Sequence, residues 1–221
     1  MNSFHEDMCI KYGDWPGFIY KPKDRKTNRL VQSLGINDIE FSKEPTINGK
    51  RMAHPLYEPW KKLLERCSDD YHLKYPTYKD VYVCEEFKSL SRFMQWAKDR
   101  YVKGYVLDKD IISRGNKEYS PNTCVFVPQE VNKFLTSRIN DRGHSLLGTH
   151  QTQSGKFVVL IGKEQKCLGT YQSEIEAHKV WQLEKINKAR TLMEEYGIPE
   201  LINVITRLEN DYNTNTPTEI V

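Results

Sequence analysis

Residues 104–132 read GYVLDKDIISRGNKEYSPNTCVFVPQEVN. Apolar and polar residues alternate up to Leu107. Asp108, Lys109 and Asp110 then stand in consecutive positions, and Gly115, Asn116 and Lys117 form a turn sequence ahead of an apolar run ending at Val127. Alternation at period two predicts a strand within YVLDKDI and a second short strand over TCVFV. Pro128 suits the first turn of a helix that carries Val131, Phe134 and Leu135 inward. Two acids around a lysine at a strand end have two readings: a solvated turn whose carboxylates cap backbone amides, or a site that holds a cation or a phosphate. On a continuing strand Asp108 and Asp110 share one face and Lys109 takes the other, whereas a strand ending at Asp108 frees all three.

Upstream, YEPWKKLLERC places Trp60, Leu63, Leu64 and Cys67 at helical spacing, with Pro59 in the first turn. A short strand around Val81 and Val83 leads into a helix with Phe87, Leu90, Phe93, Met94 and Ala97 on one side. Residues 1–50 are rich in turn formers and predict an irregular basic arm, with Lys21, Lys23, Arg25, Lys26 and Arg29 beside Tyr20. Downstream, three short strands over about 146–151, 156–161 and 166–171 are joined by QSG and KEQ turns. Ser173 and Glu176 have capping-box spacing before a helix bearing Ala177, Val180, Trp181 and Leu183. A last helix is expected around 191–212, followed by a polar NTNTPTE tail.

The 221 residues carry a net charge of +3 and a mean hydropathy of -0.70. No run reaches the roughly 18–20 apolar residues of a membrane span, and the first residues lack a secretory layout. Five scattered cysteines without a CxxC pair argue against a disulfide framework or a thiolate zinc site, and a reducing cytoplasm is the expected location. Charge is uneven: Lys and Arg outnumber Asp and Glu 11 to 7 over residues 86–142 and 7 to 4 over 143–190, then fall to 1 against 6 over 191–221. That layout suits a phosphate-facing surface as well as an ordinary solvated one with an acidic end.

From about Leu34 to Leu135 the chain resembles the small phage-encoded HNH (ββα-metal) homing-endonuclease-like proteins. The likeness rests on LDKD…GNKEYSPNTCVFV, preceded by YEPWKKLLERC, PTYKDVYVCEEF and FMQWAKD. It implies a hairpin and helix that hold one divalent metal, Mg²⁺ or Mn²⁺, and cut DNA. Asp108 falls at the metal-ligating acid, Asn116 near the loop asparagine, and Asn122 or Thr123 where a further ligand sits. Asp108, Lys109, Asp110 and Asn116 are the implied catalytic group; Asp108, Asp110 and Asn122 are the implied metal ligands. Lys109 stands where nuclease members place a general-base histidine, and a lysine is a poor base near pH 7 but a good phosphate clamp. Asp110 or the distant His144 are the remaining bases, with Arg114 and Lys117 facing DNA phosphates.

From about Leu147 to Ala189 the chain resembles an ethylene-response-factor-type (AP-two) DNA-binding domain, on Gly155, Phe157, Ile161, Leu168, Gly169, Tyr171, Glu176 and Ala177. That module reads the major groove with one face of a three-stranded sheet. Alternation turns Phe157, Val159 and Ile161 toward the helix and Lys156, Val158 and Leu160 outward. The implied DNA-facing residues are His150, Thr152, Lys156, Lys163 and Lys166. Where plant members carry arginines and tryptophans, this face has Val158, Leu160 and Cys167, which suit an apolar contact as well as a groove.

The expected fold class is therefore α+β: an HNH-like ββα-metal hairpin and helix with flanking helices, then a three-stranded antiparallel sheet packed on one helix. The expected segments are an arm (1–50), the HNH-like domain (51–142), the AP-two-like domain (143–192) and a C-terminal helix with an acidic tail (193–221). The function implied is a metal-dependent endonuclease acting on double-stranded DNA. The alternative is the same scaffold without catalysis, a DNA-binding or protein-inhibiting phage factor with a host protein as partner. A third reading, a single-strand or RNA binder, uses Trp15, Tyr20 and Trp60 as stacking platforms.

Overall fold

Helix α2 (Tyr57–Arg66) forms on the stripe its spacing predicts, and Trp60, Leu63 and Leu64 are buried. In the computed structural model, which describes residues 3–23, 30–135, 145–162 and 165–218, this stripe lies in the core of the first of two compact units. The units comprise residues 1–126 and 127–221. The described chain is mixed α+β with small sheets.

In the first unit α1 (Ser3–Tyr12) precedes a hairpin of β1 (Thr46–Ile47) and β2 (Lys50–Arg51). After α2 come α3 (Asp69–Lys74), a 3-10 turn over Pro76–Tyr78 and β3 (Tyr82–Val83). Helices α4 (Glu85–Lys88) and α5 (Leu90–Ala97) follow, then β4 (Val106–Asp108) and β5 (Glu118–Tyr119). β4 forms a two-stranded sheet with β6 (Val125–Val127). β5 leaves that sheet and pairs in parallel with β3, Tyr82 opposite Glu118 and Val83 opposite Tyr119.

The N-terminal segment is not an irregular arm. Besides forming α1, it contributes Met8, Tyr12, Phe18, Tyr20, Ile39 and Phe41 to the core. The turn formers hide this because the contacts are between isolated aromatics with no period. Phe18 packs edge-on against the buried ring of His54, Tyr20 and Phe41 lie tilted against it, and Tyr20 is edge-on to both phenylalanines. Stacking on nucleic acid is thereby removed for Tyr20 at 1% exposure and Trp60 at 0%. Trp15 is half-buried and packs edge-on against His54 and Tyr101. Of the basic run, Arg25, Lys26 and Arg29 lie outside the described residues.

The helix expected across Phe87–Ala97 is interrupted at Ser89. There the backbone turns extended, and Ile36 accepts the Leu90 amide while donating to the Lys88 carbonyl. Asp38 accepts from the Ser89 and Ser91 hydroxyls and the Ser91 amide, and its carboxyl stays below the usual value although burial works the other way. The apolar side is unchanged: Phe87, Leu90, Phe93, Met94 and Ala97 are all buried, each such residue contributing on the order of 1–3 kcal/mol.

The second unit opens with α6 (Gln129–Leu135), which the HNH resemblance had grouped with the preceding strands. Strands β7 (Thr149–Gln151), β8 (Phe157–Ile161) and β9 (Lys166–Tyr171) form the antiparallel three-stranded sheet, in order. It packs on α7 (Glu174–Tyr196). Val159 and Thr149 face one another across β7 and β8 and are both buried. A bulge after Val159 restores the pairing of Leu160 with Cys167.

The capping box does not form: Ser173 is the N-cap by backbone geometry without a side-chain bond. Glu174 braces the sheet instead, accepting from the Leu146 amide and the Thr149 hydroxyl. The last helix begins later than expected. α7 runs unbroken to Tyr196, Gly197 closes it in the left-handed conformation, and α8 (Leu201–Asn213) follows Pro199.

Candidate functional site

β4 ends at Asp108, which settles the choice that spacing left open, so the following turn orients all three charged residues. Asp108 Oδ1 accepts the amides of Asp110 (2.9 Å) and Ile111 (2.8 Å), the geometry of an aspartate that caps its own turn. Burial pushes the Asp108 carboxyl above its ordinary value; the Ile111 amide opposes this and the charge of Asp110 adds to it.

Lys109 does not project outward as a phosphate clamp. Its side chain is 8% exposed, and Nζ donates to both carboxylate oxygens of Asp110 (2.7 and 2.9 Å) and to the carbonyl of Asn116 (2.5 Å). It also lies 5.9 Å from the centre of the Tyr119 ring. Three oxygens thus match the three donors of the ammonium, and the loop is laced around it. Asn116 completes the lacing: Nδ2 donates to the carbonyls of Lys109 and Glu118, and Oδ1 accepts the Glu118 amide. Thr123 seals the next turn, its hydroxyl donating to the Glu118 carbonyl and accepting from the Ser120 amide.

This arrangement does not fit the implied Mg²⁺ or Mn²⁺. Both oxygens of Asp110 face an ammonium, one oxygen of Asp108 is held by two amides, and Asn122 is an exposed turn residue. Among the described residues, no three His, Cys, Asp or Glu side chains gather where a metal ion would be held. The residues assigned to catalysis do come together, but as one hydrogen-bonded turn. His144 lies outside the described residues.

Arg114 and Lys117 are exposed, and Lys117 Nζ donates to the Lys79 carbonyl. In the second unit His150, Lys156 and Lys166 are exposed on or beside the strands. Thr152 is occupied in the turn: its hydroxyl donates to the Lys156 carbonyl and accepts the Lys156 amide. Lys163 lies outside the described residues. The cross-strand row His150, Val158, Thr170 and the pair Leu160, Cys167 form the face opposite Val159. Val158 and Leu160 are half-buried there. Between Ser145 and Ser173 the described residues include no Asp or Glu.

Sequence reasoning missed Arg66 and Tyr119. Tyr119 is buried against Lys109, and Arg66 Nη1 donates to its hydroxyl at 3.3 Å. The signal was available: Arg66 stands three residues after Leu63, which puts a cation on the apolar side of α2. Compared with protein-family models, curated proteins and solved structures, the chain has no match in any of the three.

Proposed function

We propose that this chain is a factor that binds double-stranded DNA on an HNH-like scaffold and does not cut it. The observation that carries the reading is the charge layout of the second unit. The strands and their described turns bear His150, Lys156 and Lys166 with no carboxylate, while acids from Glu174 onward lie along α7 and α8. A duplex presents a dense line of phosphates, so strands whose described residues carry no acid are the side it approaches with least repulsion. Val158 and Thr170, in one cross-strand row with His150, offer the apolar and hydroxyl contacts that a groove accepts.

The loop at Asp108 supports binding without hydrolysis. Phosphodiester cleavage needs a Lewis acid and an activated water, and the Asp110 carboxylate that would help hold the ion is paired with Lys109. On this reading the Asp108–Asn116 segment is a structural clasp.

Fluorescence anisotropy with a labelled duplex across a salt series, run beside supercoiled plasmid with Mg²⁺ or Mn²⁺, tests both halves. Affinity should fall steeply as salt rises, Lys156→Gln and Lys166→Gln should each weaken it, and the plasmid should stay intact. Nicking abolished by Asp108→Ala would restore the nuclease. A duplex that fails to bind even at low salt would overturn the binding half.

A further inference from the structure

A cavity of about 270 Å³ opens in the first unit between α2 and the segment from Tyr101 to Leu107. Pro55, Pro59, Leu63 and Leu107 supply apolar wall, and Tyr101 and Tyr105 supply two phenol rings. Tyr101 is fixed by edge-on contacts with Trp15 and Phe126, so its ring is a rigid part of that wall. The charged lining is Glu58, Lys62 and Arg66.

The two cations differ in their partners. Lys62 and Glu58 lie 3.9 Å apart with both side chains more than half exposed, a pair of little energetic weight. Arg66 is partly buried, and among the described residues no carboxylate lies within ion-pair distance of it. Arg66 donates to the neutral phenol of Tyr119. A guanidinium withdrawn from water without a counter-charge is costly, and an anion delivered to it removes that cost. Its planar fork of donors matches phosphate oxygens.

We propose that this cavity is a binding site for one nucleoside monophosphate unit, its phosphate held by Arg66 and Lys62 and its base lying against Tyr101, Tyr105 and the prolines. The volume sets the size. It lies just below the roughly 300–1,000 Å³ typical of ligand pockets, room for one nucleotide at most and not for an oligomer. Aromatic walls accept any base by its face, so the site selects for a ring plus a phosphate and not for a sequence. The site lies within the first unit and stands independently of duplex binding by the sheet.

Calorimetric titration of the full chain with dTMP, thymidine and inorganic phosphate tests this. dTMP should bind at least about tenfold more tightly than either fragment. Arg66→Gln should lose about tenfold or more, Arg66→Lys less, and Lys62→Gln should weaken binding on an exposed side chain that folding does not need. Lys156→Gln and Lys166→Gln should leave dTMP binding unchanged, which separates this site from the sheet. A 5′-phosphorylated oligonucleotide that competes with dTMP would name a strand end as the source, and one that does not would name the free nucleotide. Thymidine binding as well as dTMP, or no heat from dTMP at millimolar concentration with folded Lys62→Gln and parent alike, would overturn the proposal.

Discussion

The amide of Thr218 donates to Nε2 of His178 at 2.9 Å, and the other ring nitrogen lies 2.8 Å from the carbonyl of Leu147. One nitrogen therefore accepts and the other donates, which requires a neutral ring with its proton on Nδ1. Gln182 adds bonds to the Thr216 carbonyl and the Thr218 hydroxyl, which in turn reaches Asp211. The polar C-terminal segment is thus fastened to α7 and α8.

Acid should loosen that fastening. Burial holds His178 below its ordinary pKa, against the pull of the Leu147 carbonyl, Asp211 and Glu174. The unfolded chain takes the proton first, so this contribution is full above about pH 6.5 and declines as pH falls below it. Amide protection at residues 216–218 should drop between about pH 7 and pH 5. Unchanged protection factors would refute the coupling.

His54 makes a steeper case. Its Nδ1 accepts the Leu56 amide and its Nε2 meets the Tyr20 hydroxyl, which reaches the Gly13 carbonyl. Burial pulls its pKa from the ordinary value of 6.5 to about 3. Between those values only the unfolded chain is protonated, so stability falls as pH drops through that window. Near pH 4.5 the loss approaches roughly 2–3 kcal/mol. Urea unfolding should show a shallower pH slope for His54→Phe than for the parent, and equal slopes would count against it.

The clasp at Lys109 separates structure from catalysis. Lys109→Met strands the Asn116 carbonyl and the Asp110 carboxylate; because Asp110 is 49% exposed, water recovers part of the loss, leaving about 1–3 kcal/mol. Asp108→Asn keeps an oxygen for both amides and should cost under about 1 kcal/mol, whereas Asp108→Ala should cost about 1–2 kcal/mol. Chelators should leave Tm unchanged. A marked rise in Tm with Mn²⁺, reversed in Asp108→Asn, would contradict the clasp.

Gly148 is required where the second unit closes. Its φ is +76°, and an added Cβ would stand 1.8 Å from Cδ1 of Trp181. Gly148→Ala should cost roughly 3–5 kcal/mol, from displaced indole packing and a backbone that L residues avoid. A thermal melt showing a loss below about 1 kcal/mol would mean that Trp181 has somewhere else to go.

Local pattern alone was enough for α2 and for the three-stranded sheet, while the strand end at Asp108 was left open. A period of two or 3.6 reports directly which face of an element is apolar. The direction of the Lys109 ammonium, the burial of Tyr20 around His54, the parallel match of β3 with β5 and the docking of Thr218 on His178 belong to the tertiary structure. Each joins groups through single hydrogen bonds or ring contacts that leave no period along the chain. A charged turn reads the same whether its lysine reaches for a phosphate or folds back on its own loop, and only the neighbouring oxygens decide between them.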